Sequence, residues 1–444
     1  MRTKRPKNIF SCVLSIIILL VGVLSGCGQS DPRSDEYAQI LEDYDNSVSE
    51  KLDFTDPRST IQISGWLDES CVKNLMAFLA REYPKYTFKY RYISKDSYES
   101  IIDAELSSKI ATEIVMMTPS MAKKHAKNRY IEDLTIYCDE FTDRGKEAFM
   151  YGNRIYAVPS TSDFQCFFYN KGMLEECGLK VPLTYDSLLE ICDYMQNTMD
   201  VKPLSAGFKD SDMVADTALA LLASGYFSTD QGKKFGNKIA YGQTTFLEEI
   251  RPYMYKWQNM CIHKIYTRNM CIMDATAAID EFAAGKSFMY MGGLTDYNRI
   301  KEVNPDIKLG TMALSSEGIS KAVLIGGCSC GFAVNSFAPN KGFAMDVVGK
   351  IATEEGQRAL WSDRQGSQTY LKNVKFDNPD EFDEIRALTS TDRVVMPWNQ
   401  WGEHSSEMYE IFGRELQKVV LGDKSIEIAF QSIDYEVKQI LRED

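Results

Sequence analysis

The chain has 444 residues, of which 44% are hydrophobic and 25% charged, an ordinary globular composition with enough length for two or three domain-sized units. Its formal net charge is −13. A surplus of negative charge is repelled by nucleic-acid phosphates, so we predict no nucleic-acid partner. The acidity is typical of a protein that its own charge keeps soluble.

The N-terminus has the layout of an export signal. Four cations precede an apolar run from Ile9 to Val23, and the tetrapeptide Leu24-Ser25-Gly26-Cys27 follows directly. Small residues before a cysteine resemble the lipobox of bacterial lipoproteins, in which this cysteine is lipidated and becomes the first residue. We therefore predict a signal peptide over residues 1–26 and lipid on Cys27. The lipid would hold the protein to the outer face of the cytoplasmic membrane, as in Gram-positive cells.

A plain transmembrane anchor is the alternative, because the apolar run approaches the roughly 18 to 20 residues that span a bilayer. A membrane helix gives no reason for the tetrapeptide at its end, which favours the signal peptide. Residues 27–57 are polar and acidic, with Gly28, Pro32 and Pro57. We interpret them as a tether between the lipid and the folded part of the chain.

The cysteines and histidines limit the possible metal chemistry. Of eleven cysteines, one leaves with the signal peptide and one carries lipid, so nine thiols stay, an odd number that cannot all pair. His125, His263 and His404 lie far apart in sequence, and Cys328-Ser329-Cys330 has the wrong spacing for zinc. We predict no metal and no cofactor, with most thiols buried as small apolar groups.

The first part of the folded chain alternates between strand and helix patterns. Apolar and polar residues alternate over Thr60–Trp66 and Thr87–Ile93, which predicts two half-buried strands, and Glu113–Thr118 is typical of a buried parallel strand. Apolar residues at helical spacing lie between them, over Val72–Leu79 and Tyr98–Leu106. This β-α-β-α-β order predicts a parallel or mixed sheet with helices on both faces.

The pattern changes at Tyr151–Pro159, a turn followed by a short extended segment. From there to about residue 283 it is mostly helical, and Ser287–Gly293 then resumes strand character and ends at a glycine pair. This resumption predicts that the chain crosses back into the first folded lobe at residue 287.

Short segments over most of the mature chain resemble, in their order and spacing, the family 1 extracellular solute-binding proteins of ABC importers, the group that contains maltodextrin-binding proteins. No segment is specific by itself, whereas the ordered set is. The segments are Ile63–Trp66, Glu82–Pro84, Ile131–Thr135, Tyr151–Pro159, Tyr169–Lys171, Cys177–Leu188, Phe282–Met289 and Glu354–Gln357.

The resemblance implies an α/β, two-lobe, periplasmic-binding-protein-like fold of type II, in which each lobe is a sheet flanked by helices and the ligand lies in the cleft between lobes. It places residues 58–158 and 287–335 in the first lobe, and residues 159–286 and 336–444 in the second. It also implies a monomer that binds a small solute, a mono- or oligosaccharide, and delivers it to the membrane subunits of an ABC importer. Strand ends and a closing hinge suit such binding physically.

Candidate ligand-binding residues stand at the ends of predicted strands. Trp66, with Asp68 and Glu69 close behind it, places an aromatic ring beside hydrogen-bond acceptors, the combination that grips the C–H faces and hydroxyls of a sugar. A core tryptophan is the alternative for Trp66. Ser120 follows the strand that ends near Thr118 and is a further candidate.

Aromatic residues later in the chain give a second set of candidates. Asp163 and Phe164 follow the predicted crossing at Pro159, and Tyr226 follows a glycine that ends a helix, although packing under a loop explains Tyr226 as well. Trp398 and Trp401 place two of the five tryptophans within four residues. We expect at least one of these two to contact ligand, the alternative being a clamp on the C-terminal helices.

Two glycine-rich strand ends complete the predicted site. One offers Gly293, Thr295 and Asp296, and the other offers Ser329 after a second glycine pair. Backbone donors at such places approach ligands closely, although glycines at turns are just as often structural.

Two other functions stay open at this point. Zinc-binding His-Glu-x-x-His helices and phosphate loops are absent from the sequence, and we predict no enzyme. A surface glycan-acting enzyme is nevertheless an alternative, because a pair of carboxyls about 5 Å or about 6.5 to 9.5 Å apart suffices for glycoside hydrolysis. A solute receptor coupled to a sensor is the other alternative.

Overall fold

The computed structural model describes residues 60–391 and 393–442, apart from the side chains of Asp163 and Ile319. The predicted signal peptide, the lipidated Cys27 and the 27–57 tether lie outside the described residues and stay predictions.

The described residues form strands and helices that alternate along most of the chain. The strands β1 to β13 are Thr60–Gly65, Thr87–Tyr92, Ile114–Met117, Met150–Tyr151, Arg154–Ile155, Val158–Pro159, Asp163–Asn170, Lys202–Ala206, Ser287–Gly293, Leu309–Met312, Leu324–Gly327, Gly331–Val334 and Val394–Val395. The helices α1 to α17 are Lys73–Glu82, Lys95–Ser107, Pro119–Lys127, Asp143–Ala148, Lys171–Cys177, Tyr185–Asn197, Ser211–Leu222, Asp230–Ala240, Phe246–Glu249, Tyr255–Ile262, Ala275–Ala283, Tyr297–Val303, Lys341–Ile351, Glu354–Ser362, Asp383–Ser390, Ser405–Val420 and Ile426–Ile440.

The first lobe is built on a five-stranded sheet with the strand order β2-β1-β3-β12-β6. Strand β1 pairs in parallel with β2 and β3, whereas β12 is antiparallel to β3 and β6. Ile61 and Ile63 are buried and alternate with the partly exposed Gln62, as the periodicity predicts. The β-α-β-α-β start and the mixed sheet are therefore confirmed.

The second lobe is built on a sheet in which β13, β11, β7, β9 and β8 lie side by side, with β10 also paired to β7. Strand β7 is at its centre, yet the sequence patterns predict helices there. The side chains of Phe167, Phe168 and Tyr169 are fully buried. A continuous apolar run buried on both faces has no alternation, and periodicity alone does not separate it from a buried helix.

The expected division of the chain between the lobes is wrong in two places. Strand β9 pairs antiparallel with β7 and parallel with β8, so the chain is still in the second sheet at residue 287. It returns to the first sheet only at β12. Helices α13 and α14 then pack on the first core through Val347 and Leu360, whereas α16 packs on the second core through Phe412.

Two helices begin at strand ends and are held there by the side chains of their capping residues. The Thr118 hydroxyl accepts a hydrogen bond from the Met121 backbone N–H at 3.2 Å, and proline follows at the first position of α3. The Asp210 carboxylate accepts one from the Asp212 N–H at 3.0 Å at the start of α7. Such caps fix helix N-termini beside the carboxyl ends of strands. Helix α2 also begins shortly after β2, but the Ser94 side chain before it makes no capping hydrogen bond.

Within the part of the chain that the structure describes, no helix is both long enough and apolar enough to span a bilayer.

Candidate functional site

The two lobes touch along a polar surface formed by residues of helices and of the turns beside them. Lys95 Nζ on α2 lies 2.6 Å from the Asp212 carboxylate on α7, and the hydroxyl oxygens of Ser120 on α3 and Ser406 on α16 lie 2.9 Å apart. The Lys127 ammonium lies 3.0 Å from the Glu403 carboxylate. We call this the interlobe surface. Its residues are Lys95, Glu99, Ser120, Lys123 and Lys127 from the first lobe, and Asp212, Trp398, Asn399, Glu403, Ser406 and Tyr409 from the second.

Trp66 lies at the carboxyl end of β1, next to the helix that carries Lys95. Its ring is half-buried and meets the Tyr98 ring edge-on, with the centroids 4.9 Å apart. The Tyr98 hydroxyl donates to the backbone carbonyls of Ser64 and Met116, both at 2.9 Å. These bonds fix Tyr98 across the ends of β1 and β3, so Trp66 rests on a rigid support.

Asp68 and Glu69 are exposed in the turn that follows. The Asp68 carboxylate accepts from the hydroxyl of Ser70 at 2.6 Å and from its N–H at 2.9 Å, and these bonds lower the pKa of Asp68. Asp68 therefore caps a short 3-10 turn, Glu69–Cys71, and keeps its charge at the rim.

Trp398 lies on the interlobe surface of the second lobe. Its ring is half-buried, and its centroid is 4.7 Å from that of Tyr409 on α16. The Tyr409 hydroxyl donates to the Asp216 carboxylate and, at 3.2 Å, to the backbone carbonyl of Asp212. Burial raises the pKa of Tyr409 further, so it stays a neutral donor. Trp398 is thereby tied to the N-terminal turn of α7.

Trp401 lies in the core of the second lobe, and its predicted ligand contact is wrong. The residue is 1% exposed, and its ring meets those of Phe246 and Phe235 edge-on, at 5.1 and 6.1 Å between centroids. It acts as the clamp on the C-terminal helices, because Phe412 of α16 packs on the same cluster.

Tyr226 and Phe164 are also core residues, so their predicted ligand contacts are wrong. Tyr226 is 0% exposed, and its hydroxyl donates to the Glu249 carboxylate at 3.0 Å. Phe164 is 4% exposed and packs with Phe168 in a cluster on the second sheet. The side chain of Asp163, at the first position of β7, lies outside the described residues.

The end of β9 forms a closed turn. The Asp296 carboxylate accepts from the Gly293 N–H at 2.9 Å and from the Tyr290 hydroxyl at 2.7 Å. A side chain on Gly292 would collide with both Asp296 and Tyr290, at 2.4 Å from its first carbon, so glycine is required there by close packing. Asp296 thus has a structural role, and Thr295 is half-buried beside it. Ser329, also half-buried, lies between β11 and β12, where the chain passes from one sheet to the other.

Glu99 has the most perturbed carboxyl group on the interlobe surface. Burial raises its pKa to about 7, the nearby Asp103 and Glu407 add to this rise, and Lys124 and a hydrogen bond from Ser406 oppose it. Because Ser406 belongs to the other lobe, the protonation of Glu99 is coupled to contact between the lobes.

Replacing Glu99 with glutamine is expected to flatten the dependence of stability on pH. The pKa of Glu99 is raised from 4.5 to about 7, so the folded chain binds this proton more tightly than the unfolded chain. The resulting stabilisation is greatest below pH 4.5 and is lost as the pH rises through 7. Between pH 5 and 8 we expect the wild type to lose up to about 2 kcal/mol that Glu99→Gln does not lose. Urea unfolding at each pH measures this, with the exposed Glu302→Gln as control, and equal slopes for wild type and Glu99→Gln would refute it.

Sequence analysis named only Ser120 and Trp398 among the residues of the interlobe surface. It missed the others, among them Lys95, Asp212, Ser406 and Tyr409. A usable signal existed for Asp212: Lys202–Ala206 is a strand, and a helix begins shortly after it at an Asp cap. Lys95 follows a predicted strand in the same way. The described residues contain no group of three or more His, Cys, Asp or Glu side chains placed to hold a metal.

The fold is that of the two-lobed binding proteins, as known structures show. A family 1 extracellular solute-binding protein from Bifidobacterium longum subsp. infantis superimposes with a TM-score of 0.68 at 20% identity, covering 86% of this chain and 99% of that one. The solute-binding protein RafE in complex with raffinose gives a TM-score of 0.73 at 18% identity, covering 86% and 99% of the two chains. The predicted two-lobe α/β fold is confirmed.

The family model of the bacterial extracellular solute-binding proteins matches residues 75–383, and the chain belongs to this family. The multiple sugar-binding protein of Streptococcus mutans is 19% identical over 395 residues, 86% of this chain and 87% of that protein. The family is made up of solute-binding proteins, not enzymes.

Proposed function

We propose that this protein is a lipid-anchored receptor that binds a carbohydrate between its lobes and delivers it to an ABC importer. One observation carries the proposal: half-buried tryptophans stand on both lobes, Trp66 and Trp398, and polar side chains that make contact between the lobes lie near them. Aromatic faces pack against sugar C–H groups, and the polar groups pair with hydroxyls. The names of two relatives, a multiple sugar-binding protein and a receptor bound to raffinose, support the same solute class.

The mechanism follows from where these groups are held. Trp66 rests on Tyr98, and Trp398 rests on Tyr409, so each ring is fixed to its own lobe. A sugar that contacts both rings gains binding energy only when the lobes come together. Because a ligand shifts an equilibrium by its difference in affinity for the two states, such a solute stabilises the joined form. An importer can then recognise the loaded receptor by its shape.

A binding panel tests the solute class. The mature protein is titrated with neutral mono- and oligosaccharides, uronic acids, amino acids and polyamines, while intrinsic tryptophan fluorescence and thermal unfolding are recorded. We expect both signals to change with one or more saccharides, because Trp66 and Trp398 would lose water contact on binding. A response to amino acids or polyamines alone, or to nothing in the panel, would reject carbohydrate binding.

The anchor is a separate part of the proposal and rests on the Leu24-Ser25-Gly26-Cys27 motif. Replacing Cys27 with serine is expected to move the protein from the membrane fraction to the medium or to leave it as an unprocessed precursor, since one hydroxyl replaces the lipid-bearing thiol. Saccharide binding should be unchanged. Fractionation with Cys71→Ser as a matched control measures this, and continued processing and membrane attachment of Cys27→Ser would contradict the lipobox.

A further inference from the structure

Arg364 is a buried cation without a matching anion among the described residues. It follows helix α14 and is 3% exposed. Its one side-chain hydrogen bond runs from Nη1 to the Thr161 hydroxyl at 3.2 Å, and in residues 60–391 and 393–442 no described carboxylate forms an ion pair with it. A guanidinium offers five N–H donors. Most of its donors are therefore unused by the described protein.

The guanidinium lies where the lobes are joined. Thr161 is 0% exposed and stands between β6 of the first sheet and β7 of the second, on a segment that crosses from lobe to lobe. On its other side, Asp363, which precedes Arg364, is hydrogen-bonded to Asn74 just beyond Cys71. Burial raises the pKa of the Cys71 thiol, and the guanidinium acts against that rise. Cys71 ends the short turn that begins beyond Trp66. Arg364 thus lies between the crossing segment and the turn that follows β1.

The neighbouring carboxylates have other partners. Asp68 accepts two hydrogen bonds from Ser70, and Asp363 accepts two from the backbone and side chain of Asn74 at the start of α1. Taking a charged guanidinium out of water is unfavourable unless an anion and further hydrogen bonds compensate. The described protein supplies one neutral hydroxyl, and no Arg364 nitrogen is among the fully buried atoms without a partner, so the remaining N–H groups are open to solvent or to a solute.

We propose that Arg364 recognises a carboxylate on the solute, so that the protein binds an acidic sugar such as a hexuronic acid or its oligomers. The inference rests on the proposed carbohydrate-binding function and narrows its solute class. A planar guanidinium matches a carboxylate with two parallel N–H···O bonds, which fixes the sugar in one orientation beside Trp66. An anion held there contacts the crossing segment and the first lobe together.

Matched pairs of sugars test the proposal by calorimetry. Galactose and galactobiose are compared with galacturonic acid and digalacturonic acid, and glucose and cellobiose with glucuronic acid and cellobiouronic acid. We expect at least one acidic member to bind at least ~10-fold more tightly than its neutral partner, and its affinity to fall as NaCl is raised, because ion pairs are screened. The affinity for the neutral sugars should not depend on the NaCl concentration.

The variant Arg364→Gln is expected to weaken uronic-acid binding roughly 100-fold and neutral-sugar binding less than about 3-fold. Arg364→Lys, which keeps the charge but not the fork, should lie between. Lys350→Gln, which removes a partly buried cation of the first lobe that pairs with Glu82 at 3.0 Å away from the interlobe surface, serves as control and should change neither affinity by more than about 3-fold. Should Arg364→Gln fail to fold, Arg364→Lys and the salt dependence of the wild type still decide the question.

The outcomes separate the two proposals. Tighter binding of the neutral members, or an equal loss of both in Arg364→Gln, would overturn the role of Arg364 and leave carbohydrate binding standing. Binding of amino acids or polyamines with no saccharide bound would overturn the proposed function itself.

Discussion

Truncating Trp401 to alanine is expected to lower the free energy of unfolding by about 3 to 5 kcal/mol, because it leaves a cavity the size of an indole in the second core. The ring is 1% exposed and lies among Phe235, Phe246 and Phe412. Urea unfolding monitored by circular dichroism measures the change. Solute affinity, measured below the unfolding transition, should stay within about 3-fold of the wild type.

Trp398→Ala is the matched control, three residues away and only half-buried. It should cost less than half as much stability, since the ring is only partly buried at the edge of the second core, where it meets Tyr409 at a tilt, and it should weaken binding if Trp398 contacts solute. A large loss of affinity in Trp401→Ala with unchanged stability would contradict this prediction. It would indicate that the Trp401 ring contacts solute.

Replacing Trp66 with alanine is expected to weaken solute binding by about 2 kcal/mol, roughly 30-fold in Kd, because the aromatic face at the end of β1 is lost. Trp66→Phe keeps an aromatic face and should retain most of the affinity. Calorimetry with the saccharide that responds in the panel measures both. The change in tryptophan fluorescence on binding should also shrink in Trp66→Ala.

Trp361→Ala provides the comparison for Trp66. Trp361 is also half-buried and in the first lobe, but it stacks on Phe376 and donates to Asn378 at 2.9 Å, away from the interlobe surface. Its removal should leave affinity unchanged. Equal losses in Trp66→Ala and Trp361→Ala would indicate a general effect on the first lobe rather than a solute contact.

The part of the fold that sequence reasoning predicts well is the part with simple periodicity. Strands β1 and β2 alternate apolar and polar residues because they are half-exposed, and α1 between them shows helical spacing. Strand β7 is different, since it is buried on both faces and its run of aromatics looks the same in a helix. Because β7 was not predicted, the central strand of the second sheet was missing from the expected fold. Strand β9 then had no partner there and was assigned to the first sheet.

The candidate site residues were also predictable only in part, because sequence patterns locate strand and helix ends but not the direction of each side chain. Ser120 and Trp398 lie on the interlobe surface, and Trp66 follows a strand end and packs on Tyr98 within the first lobe. Their contact with solute stays a prediction. Trp401, Tyr226 and Phe164 are also aromatic residues near predicted turns or strand ends, but they point into the core. The sequence does not indicate whether such a ring faces the core or the solvent. Arg364 carried no pattern, because its burial depends on a crossing segment about 200 residues earlier in the chain.

The contacts between the lobes are polar, and the side chains that make them stay largely exposed to solvent. The side chains of Lys95 and Lys127 keep 60% and 53% of their exposure, and exposed ion pairs contribute at most about 1 kcal/mol each. Under the proposed function, lobes held by such contacts alone would separate readily, so the protein without solute would spend little time in the joined form. A transporter that responds to that form would seldom hydrolyse ATP on an empty receptor, and raising the salt concentration would lower this background further.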